Sequence, residues 1–581
     1  MKVDIGRRTM LLGVPATLLA LAKTASGQGV AAPPLKLIIE CGGQKYLFDQ
    51  RSGKELGDYV DPLDRFVQRC IVVRRPEIPF TVFFRPDRDG TRQEVVVELG
   101  RLWSGPAKAW PAYSAVILAG DDRLATIAVP EHYWHSRWRW QSKPRAVTVT
   151  ADKLIADGLL PPYDTALRRA GAGAPSFAAA LPPTQTITAS PRRDANGNLV
   201  AVQNGKAEGG SAAAGNPGAY SVMGLAGMMN YMPSTGERDE IGLLTEAQAE
   251  YVVTGSGAAL THTLAQAEAS GTMPWHMRDE TTNAPLNFDQ HPRAGWYYKK
   301  EESSPWIDPG EADVTVDDAH QPALGYLPFL LTGDPYYLEA IQFAATHNFG
   351  AFPAVYREGA TGILPYVQIR SYAWSLRTLA QAARMTPEKA PPWLLPRSYW
   401  AEKFENNRAW FERVYVHGTA PLQAVFRAFV LDYEVPSLKM WQEEFLACVL
   451  AWVCRMGFDR WRAVYDWSIA STIARTNGKS GWVRAQSTPY DFYYKADATA
   501  PVARSWSEAW AVHSKLAKPE VRDVNTLVDL DLTYATYTRG ALAFATYFDT
   551  PEADACYRWI DTELRRKNFK IAAKWQLAPR S

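Results

Sequence analysis

At 581 residues the chain lies far beyond the size at which a single core stops growing, so two or more structural units are expected and a lone small domain is excluded. Hydrophobic residues make up 47% and charged residues 21%, a globular composition; 63 Lys plus Arg against 61 Asp plus Glu give a net charge of +2 with no long basic run, which argues against nucleic acid as a partner. The aromatic load of 21 Trp, 27 Tyr and 21 Phe is more flat amphipathic surface than a core alone requires, and it points to a flat, hydroxylated ligand.

Residues 1–30 read as an address. Arg7 and Arg8 precede an apolar run that ends near Ala22, and Lys23 and the small residues Ala25, Ser26 and Gly27 follow. This resembles a twin-arginine export signal, which implies passage through the twin-arginine machinery and a periplasmic or secreted protein. The apolar run contains Pro15 and is shorter than the roughly 20 residues of a membrane span, so no span is expected in the mature protein. Cys41, Cys70, Cys448, Cys454 and Cys556 form no CxxC pair and read as buried thiols; whether Cys41 and Cys70 pair is left open.

Residues 31–160 alternate with period two, as in Glu94-Val95-Val96-Val97-Glu98, with turn signals such as Asp87-Arg88-Asp89-Gly90 between runs. An antiparallel β-sandwich of about seven to nine strands is expected. The run Trp134 to Trp140 alternates indoles and bases, and its tryptophan face is expected either in the sandwich core or, in preference, at a domain interface. Residues 161–235 shift to Ala, Pro, Gly, Ser and Asn and read as a linker.

From Ile241 onward the period is helical. About twelve helices are expected, among them Glu246–Thr254, Ala258–Ser270, His320–Thr332, Tyr336–His347, Ile369–Met385, Arg397–His417 and Pro421–Tyr433. A turn recurs: Thr254-Gly255-Ser256 and Thr332-Gly333-Asp334 each close one helix on a left-handed glycine and cap the next. Paired helices without a regular repeat of about 34 residues predict an (α/α)6 toroid over residues 236–581 rather than an open superhelix.

A β-sandwich followed by an (α/α)6 toroid resembles the architecture of several carbohydrate-active enzyme families, both inverting glycoside hydrolases and polysaccharide lyases. The resemblance implies a glycosidic-bond-cleaving enzyme acting on an oligo- or polysaccharide, with the hydrolases preferred because their β-domain more often precedes the toroid.

Three polar segments break the helical pattern where loops at a toroid mouth would lie. The first, Thr235 to Gly242, offers Glu237 and Asp239, which also suit a helix N-terminus. The second runs from Pro274 to Tyr298, an unusually long loop for a compact domain. It supplies Trp275 and Trp296 for stacking and His276, Arg278, Asp279, Glu280, His291 and Tyr298 for polar contacts; the alternative is a plug in which Arg278 and Asp279 pair. The third, Asp317-Asp318-Ala319-His320, places a carboxylate at an N-cap and His320 in a first turn, where the helix dipole would keep it neutral and fit for general-base work; Tyr326 follows. Arg370, Tyr372 and Trp374 add a further aromatic and cationic group.

As a hydrolase the chain needs an acid and a base, spaced about 6.5–9.5 Å in inverting enzymes; Asp279 or Glu280 against Asp317 or Asp318 is the expected pairing. As a lyase on uronic acids, Arg278 or Arg370 with His276 would neutralise the substrate carboxylate while His320 or Tyr326 removes the C5 proton. A third reading is a non-catalytic glycan-binding or envelope protein. His276, His291 and His320 form no local metal motif, and P-loop, GxGxxG and Ser-elbow signatures are missing, so neither metal nor cofactor is expected.

Overall fold

The computed structural model describes residues 33–103, 108–169, 192–193, 199–200, 222–233, 238–296, 300–430, 436–528 and 532–580. The export signal, most of the linker, Glu237 and Tyr298 lie outside the described residues. An antiparallel β part precedes a helical part.

Nine strands form the β part: β1 (Leu35–Cys41), β2 (Gln44–Asp49), β3 (Lys54–Val60), β4 (Val67–Arg75), β5 (Ile78–Phe84), β6 (Glu94–Leu99), β7 (Tyr113–Ala119), β8 (Asp122–Val129) and β9 (Ser136–Gln141). They pair as two antiparallel sheets, ordered β2-β1-β7-β8 and β3-β4-β5-β6-β9. Because side chains alternate along a strand, the five-stranded sheet serves two cores at once. Val82, Phe84, Val95 and Val97 meet Leu37, Ile39 and Ile117 of the other sheet, in a sandwich-like core. Phe83, Val96, Cys70 and Val72 point the opposite way, into a core continuous with the helices. This double burial explains why β5 and β6 read as nearly unbroken apolar runs.

The same alternation corrects the reading of the Trp134–Trp140 run. Trp138 lies in the sandwich-like core and donates its indole N–H to Tyr113 Oη at 2.7 Å. The opposite face, Arg137 and Arg139, makes the interface with the helices, because carboxylates wait there to pair with buried guanidinium groups. Cys41 and Cys70 are both free thiols.

The helices are α1 (Ala151–Ala156), α2 (Ala166–Arg169), α3 (Glu246–Thr254), α4 (Gly257–Ala269), α5 (Tyr326–Thr332), α6 (Pro335–Gly350), α7 (Ile369–Met385), α8 (Arg397–Phe411), α9 (Pro421–Ala424), α10 (Met440–Arg455), α11 (Arg462–Thr476), α12 (Trp506–Ala517), α13 (Leu532–Ala545) and α14 (Ala553–Arg566). The two expected turns are present: Gly255 (φ 77°) closes α3 and Ser256 caps α4, while Gly333 (φ 69°) closes α5 and Asp334 caps α6. Every residue of α6 is buried. Its Glu339 accepts from Arg85 at 2.7 and 2.9 Å, from Arg137 at 2.9 Å and from Arg278 at 2.6 Å. Burial alone would raise the Glu339 carboxyl, but those three cations hold it well below the usual carboxylate range.

Among the helix limits that differ from the expected ones are those of α9 and α5. α9 stops at Ala424, three residues after Pro421 opens it. α5 begins at Tyr326 instead of His320, because Pro322 disfavours helical backbone at Gln321 and Gly325 supplies the cap. Asp317 and Asp318 therefore cap no helix, and no helix dipole acts on His320.

Candidate functional site

The segment before α5 is fixed from both sides. Thr315 bridges Tyr231 in parallel, with Thr315 N–H donating to Asn230 O at 2.8 Å and Met232 N–H to Thr315 O at 2.9 Å, which brings Arg238 towards Asp317. On the far side Gln321 is saturated. Its amide donates to Asn348 Oδ1 (2.8 Å) and accepts from Asn348 Nδ2 (3.0 Å) and Thr378 Oγ1 (2.9 Å), while its carbonyl accepts from Arg377 Nη2 (2.6 Å). A buried amide with this many partners holds one position, and it locks the preceding His320 with it.

Four side chains then converge. His320 Nδ1 donates to Asp317 Oδ2, and Ser371 Oγ, one residue after Arg370 at the start of α7, donates to Asp318 Oδ2. Burial, opposed by the Asp317 bond and reinforced by the Arg370 charge, lowers the His320 pKa, so the imidazole is neutral near pH 7. Burial raises Asp317, but the His320 contact outweighs it and leaves this carboxyl below its ordinary value. Asp318 goes the other way: burial, then the adjacent Asp317 charge, raise its carboxyl well above the usual range. Neighbouring carboxyls with opposite shifts make one hydrogen-bond acceptor and one proton donor.

The remaining imidazole nitrogen, His320 Nε2, is screened from solvent and has no hydrogen-bond partner among the described residues. An orphaned buried nitrogen costs about 1–3 kcal/mol, and a site that acts on a ligand is where such a cost is tolerated. The Asp317 charge also reaches Arg238, Arg370 and His347. The arrangement is an oriented imidazole, a carboxyl whose pKa burial raises and two arginines.

The long loop after Pro274 is placed elsewhere. His276 Nδ1 donates to Met273 O at 2.9 Å and its ring packs on Phe343, with burial driving its pKa well down. Arg278 pairs with Glu98 (2.6 and 2.8 Å) and Glu339, so the expected Arg278–Asp279 pair does not form. Asp279 accepts from Trp103 Nε1 at 2.9 Å, and Glu280 accepts from the Leu102 and Trp103 N–H groups at 2.9 and 3.1 Å. His291 stacks near Trp103. Trp275 and Trp296 are each 1% exposed, a correction to their expected stacking role, since a sugar cannot reach a sealed indole. Both rings pack around His347, to whose Nδ1 Trp296 donates at 3.3 Å. Tyr326 donates to Leu159 O at 2.7 Å, Tyr372 lies among Trp410, Phe411 and Phe429, and Trp374 lies on Phe445; all three are fully buried. Asp239 is exposed, and its carbonyl accepts from Glu246 N–H at 2.6 Å.

Gln321, Ser371, Arg238 and His347 are the site residues that sequence reasoning missed. Arg238, Gln321 and Ser371 stand within or beside segments singled out for their polarity, and only His347, inside an apolar helix, lacked a local signal. Among the described residues no group of three or more His, Cys, Asp or Glu side chains could hold a metal ion, and no helix is long and apolar enough to cross a membrane. Comparison with protein-family models, with curated proteins and with solved structures gives no match for this chain.

Proposed function

We propose that the chain is an exported enzyme that cleaves glycosidic bonds in an acidic polysaccharide by β-elimination. The observation that carries this reading is the Asp317–His320 dyad beside Asp318, whose carboxyl accepts from Ser371 and is raised by burial, with Arg370 and Arg238 close enough for their charges to lower the His320 pKa. In this reading Arg370 and Arg238 neutralise a uronate carboxylate and so acidify its C5–H. His320 Nε2 takes that proton, the C5 electron pair forms the C4–C5 double bond, and the bond from C4 to the glycosidic oxygen breaks. The Asp318 carboxyl protonates the departing oxygen, and solvent returns the catalytic groups to their starting states. Because Nε2 is now screened, substrate entry has to displace a neighbouring side chain. Asp279 and Glu280, committed to Trp103, take no part.

The helices are proposed to close into an (α/α)6 toroid with this cluster at its mouth. Supporting that closure, α7 packs on α8 and α10, α10 on α11 and α13, and the C-terminal turn Ala573–Trp575 seats on α3, where Glu246 accepts from the Ala573 and Lys574 N–H groups at 2.7 and 3.1 Å. A second reading, inverting hydrolysis with Asp318 as acid and His320 activating water, is favoured by the raised Asp318 pKa alone. Incubation with polygalacturonate, alginate and hyaluronan separates the two. Elimination creates a double bond conjugated to the carboxylate and ultraviolet absorbance rises with each new reducing end; reducing ends without absorbance overturn elimination, and neither signal overturns cleavage.

A further inference from the structure

Beside the dyad, the start of α10 and the loop before Phe492 assemble three rings that the acid–base machinery does not use. Trp441 lies nearly parallel to Tyr490 (centroids 6.2 Å, planes 26° apart) and to Tyr534 at the start of α13 (5.6 Å, 25°), and Tyr490 and Tyr534 are 5.6 Å apart. Tyr490 is 50% exposed, an unusual position for a ring whose neighbours are rings. Cations flank the group: Arg370 Cζ stands 6.0 Å from the Trp441 ring and Lys439 Nζ 4.2 Å from the Tyr490 ring.

The loop carrying Tyr490 is braced. Lys439 bridges to Asp491, Ser437 Oγ donates to Asp491 Oδ1 at 2.8 Å, and Ser437–Leu438 pairs antiparallel with Phe492–Tyr493. The loop is thereby held to the segment that opens α10, so the ring surface is set before a ligand arrives. Arg370 links this surface to the dyad: its backbone N–H donates to Gln442 Oε1 at 3.2 Å, its guanidinium faces Trp441, and its charge acts on His320.

We propose that Trp441, Tyr490 and Tyr534 form a sugar-binding subsite, one ring removed from the bond that is cut, and that Arg370 restricts it to anionic glycans, Lys439 serving to hold the Tyr490 loop through Asp491. This rests on the cleavage reading for its position along the chain of sugars, but binding is measurable without cleavage. The apolar C–H face of a pyranose fits an exposed aromatic surface, and the flanking Arg370 guanidinium matches a carboxylate on the same or the next ring.

The test titrates full-length His320→Ala protein, followed by tryptophan fluorescence and calorimetry, with hexamers of galacturonate and mannuronate and with cellohexaose as the uncharged control. The acidic hexamers are expected to bind, and cellohexaose at least about tenfold more weakly, a difference of about 1.4 kcal/mol. Adding Tyr490→Ala is expected to weaken acidic binding by about tenfold, as loss of an aromatic anchor does, with an unchanged melting temperature because the ring is half exposed. Tyr490→Phe, which keeps the ring, is expected to stay within about threefold. Equal binding of cellohexaose, full affinity in Tyr490→Ala, or no binding of either acidic hexamer overturns the subsite. If the wild type cleaves none of the glycans while Tyr490→Ala loses affinity, the cleavage reading falls and the subsite stands.

Discussion

The loop from Pro274 to Glu280 and the segment from Asp317 to His320 look alike as text, since each sets histidine and acidic side chains in a break between helices. In space they differ in what their partners leave over. Around the first, the charges are paired: Arg278 between Glu98 and Glu339, Asp279 and Glu280 on Trp103. His276 Nε2 has no partner either, yet its other nitrogen meets only backbone carbonyls and no carboxylate orients it. Around the second, a carboxylate holds the imidazole, burial raises the pKa of a neighbouring carboxyl, and the free nitrogen faces no partner among the described residues. An orphan imidazole is common to both; an oriented one beside such a carboxyl belongs to one.

Acid is the bluntest way to stress the fold that holds both regions, because histidines are buried throughout it. Burial pushes His132 down to about 3 and His135, His262, His347 and His513 to about 4. Above pH 6.5 these groups are neutral whether folded or unfolded. As pH falls below 6.5 the unfolded chain takes up protons that the folded chain refuses, so stability is lost at roughly 1.4 kcal/mol per pH unit per histidine, down to each folded pKa. Cooperative unfolding between pH 6.5 and 4 in circular dichroism is the expected outcome, with about one proton less taken up in His276→Gln. Flat stability to pH 4 would show these imidazoles to be solvated.

Next comes the interface itself. Glu339→Gln removes the charge that three buried guanidinium groups share, and stability is expected to drop by about 3–5 kcal/mol, seen as a large fall in urea midpoint. His320→Ala is expected to do the opposite: cleavage down by about 10²–10⁴-fold with the urea midpoint nearly unchanged, because the dyad is not what joins the sheets to the helices. Should Glu339→Gln lower activity without loss of stability, or His320→Ala unfold the chain, the division between the two regions is wrong.

That division marks how far the sequence was legible. The period-two strands and most helical stretches, though not all helix limits, fall where expected, and the Thr-Gly turns do too, because local periodicity and capping chemistry act within a few residues. What separates Arg278 from Arg370 is not local. Arg278 meets Glu98 and Glu339, 180 and 61 residues away, so nothing in its neighbourhood reveals that its charge is already spent. The same holds for Trp275 and Trp296, which read as sugar platforms and are walls around His347. His320 was found by its neighbours Asp317 and Asp318, although the helix dipole invoked for it is missing and burial lowers its pKa instead.

Asp317→Asn sharpens the dyad. The Asp317 bond raises the His320 pKa against burial, so its loss moves the acidic limb of the rate profile to lower pH, while the rate at neutral pH is expected to fall by about 10²-fold as the imidazole loses its orientation. An acidic limb that stays in place removes His320 from the role of base.

The smallest expected effect is the most specific. Ser371→Ala removes the hydroxyl that donates to Asp318 Oδ2, at a stability cost of about 0.5–1.5 kcal/mol. If Asp318 protonates the departing oxygen, the variant loses the fixed direction of its proton, and cleavage of a native glycosidic bond is expected to slow by about tenfold. An aryl leaving group needs little protonation, so a uronate that carries a nitrophenyl ether at O4, the oxygen that departs in elimination, should be cut by wild type and Ser371→Ala at nearly the same rate. Equal slowing of both substrates would mean that Ser371 supports the fold of α7 rather than the acid, and the proton donor would have to be sought elsewhere around His320.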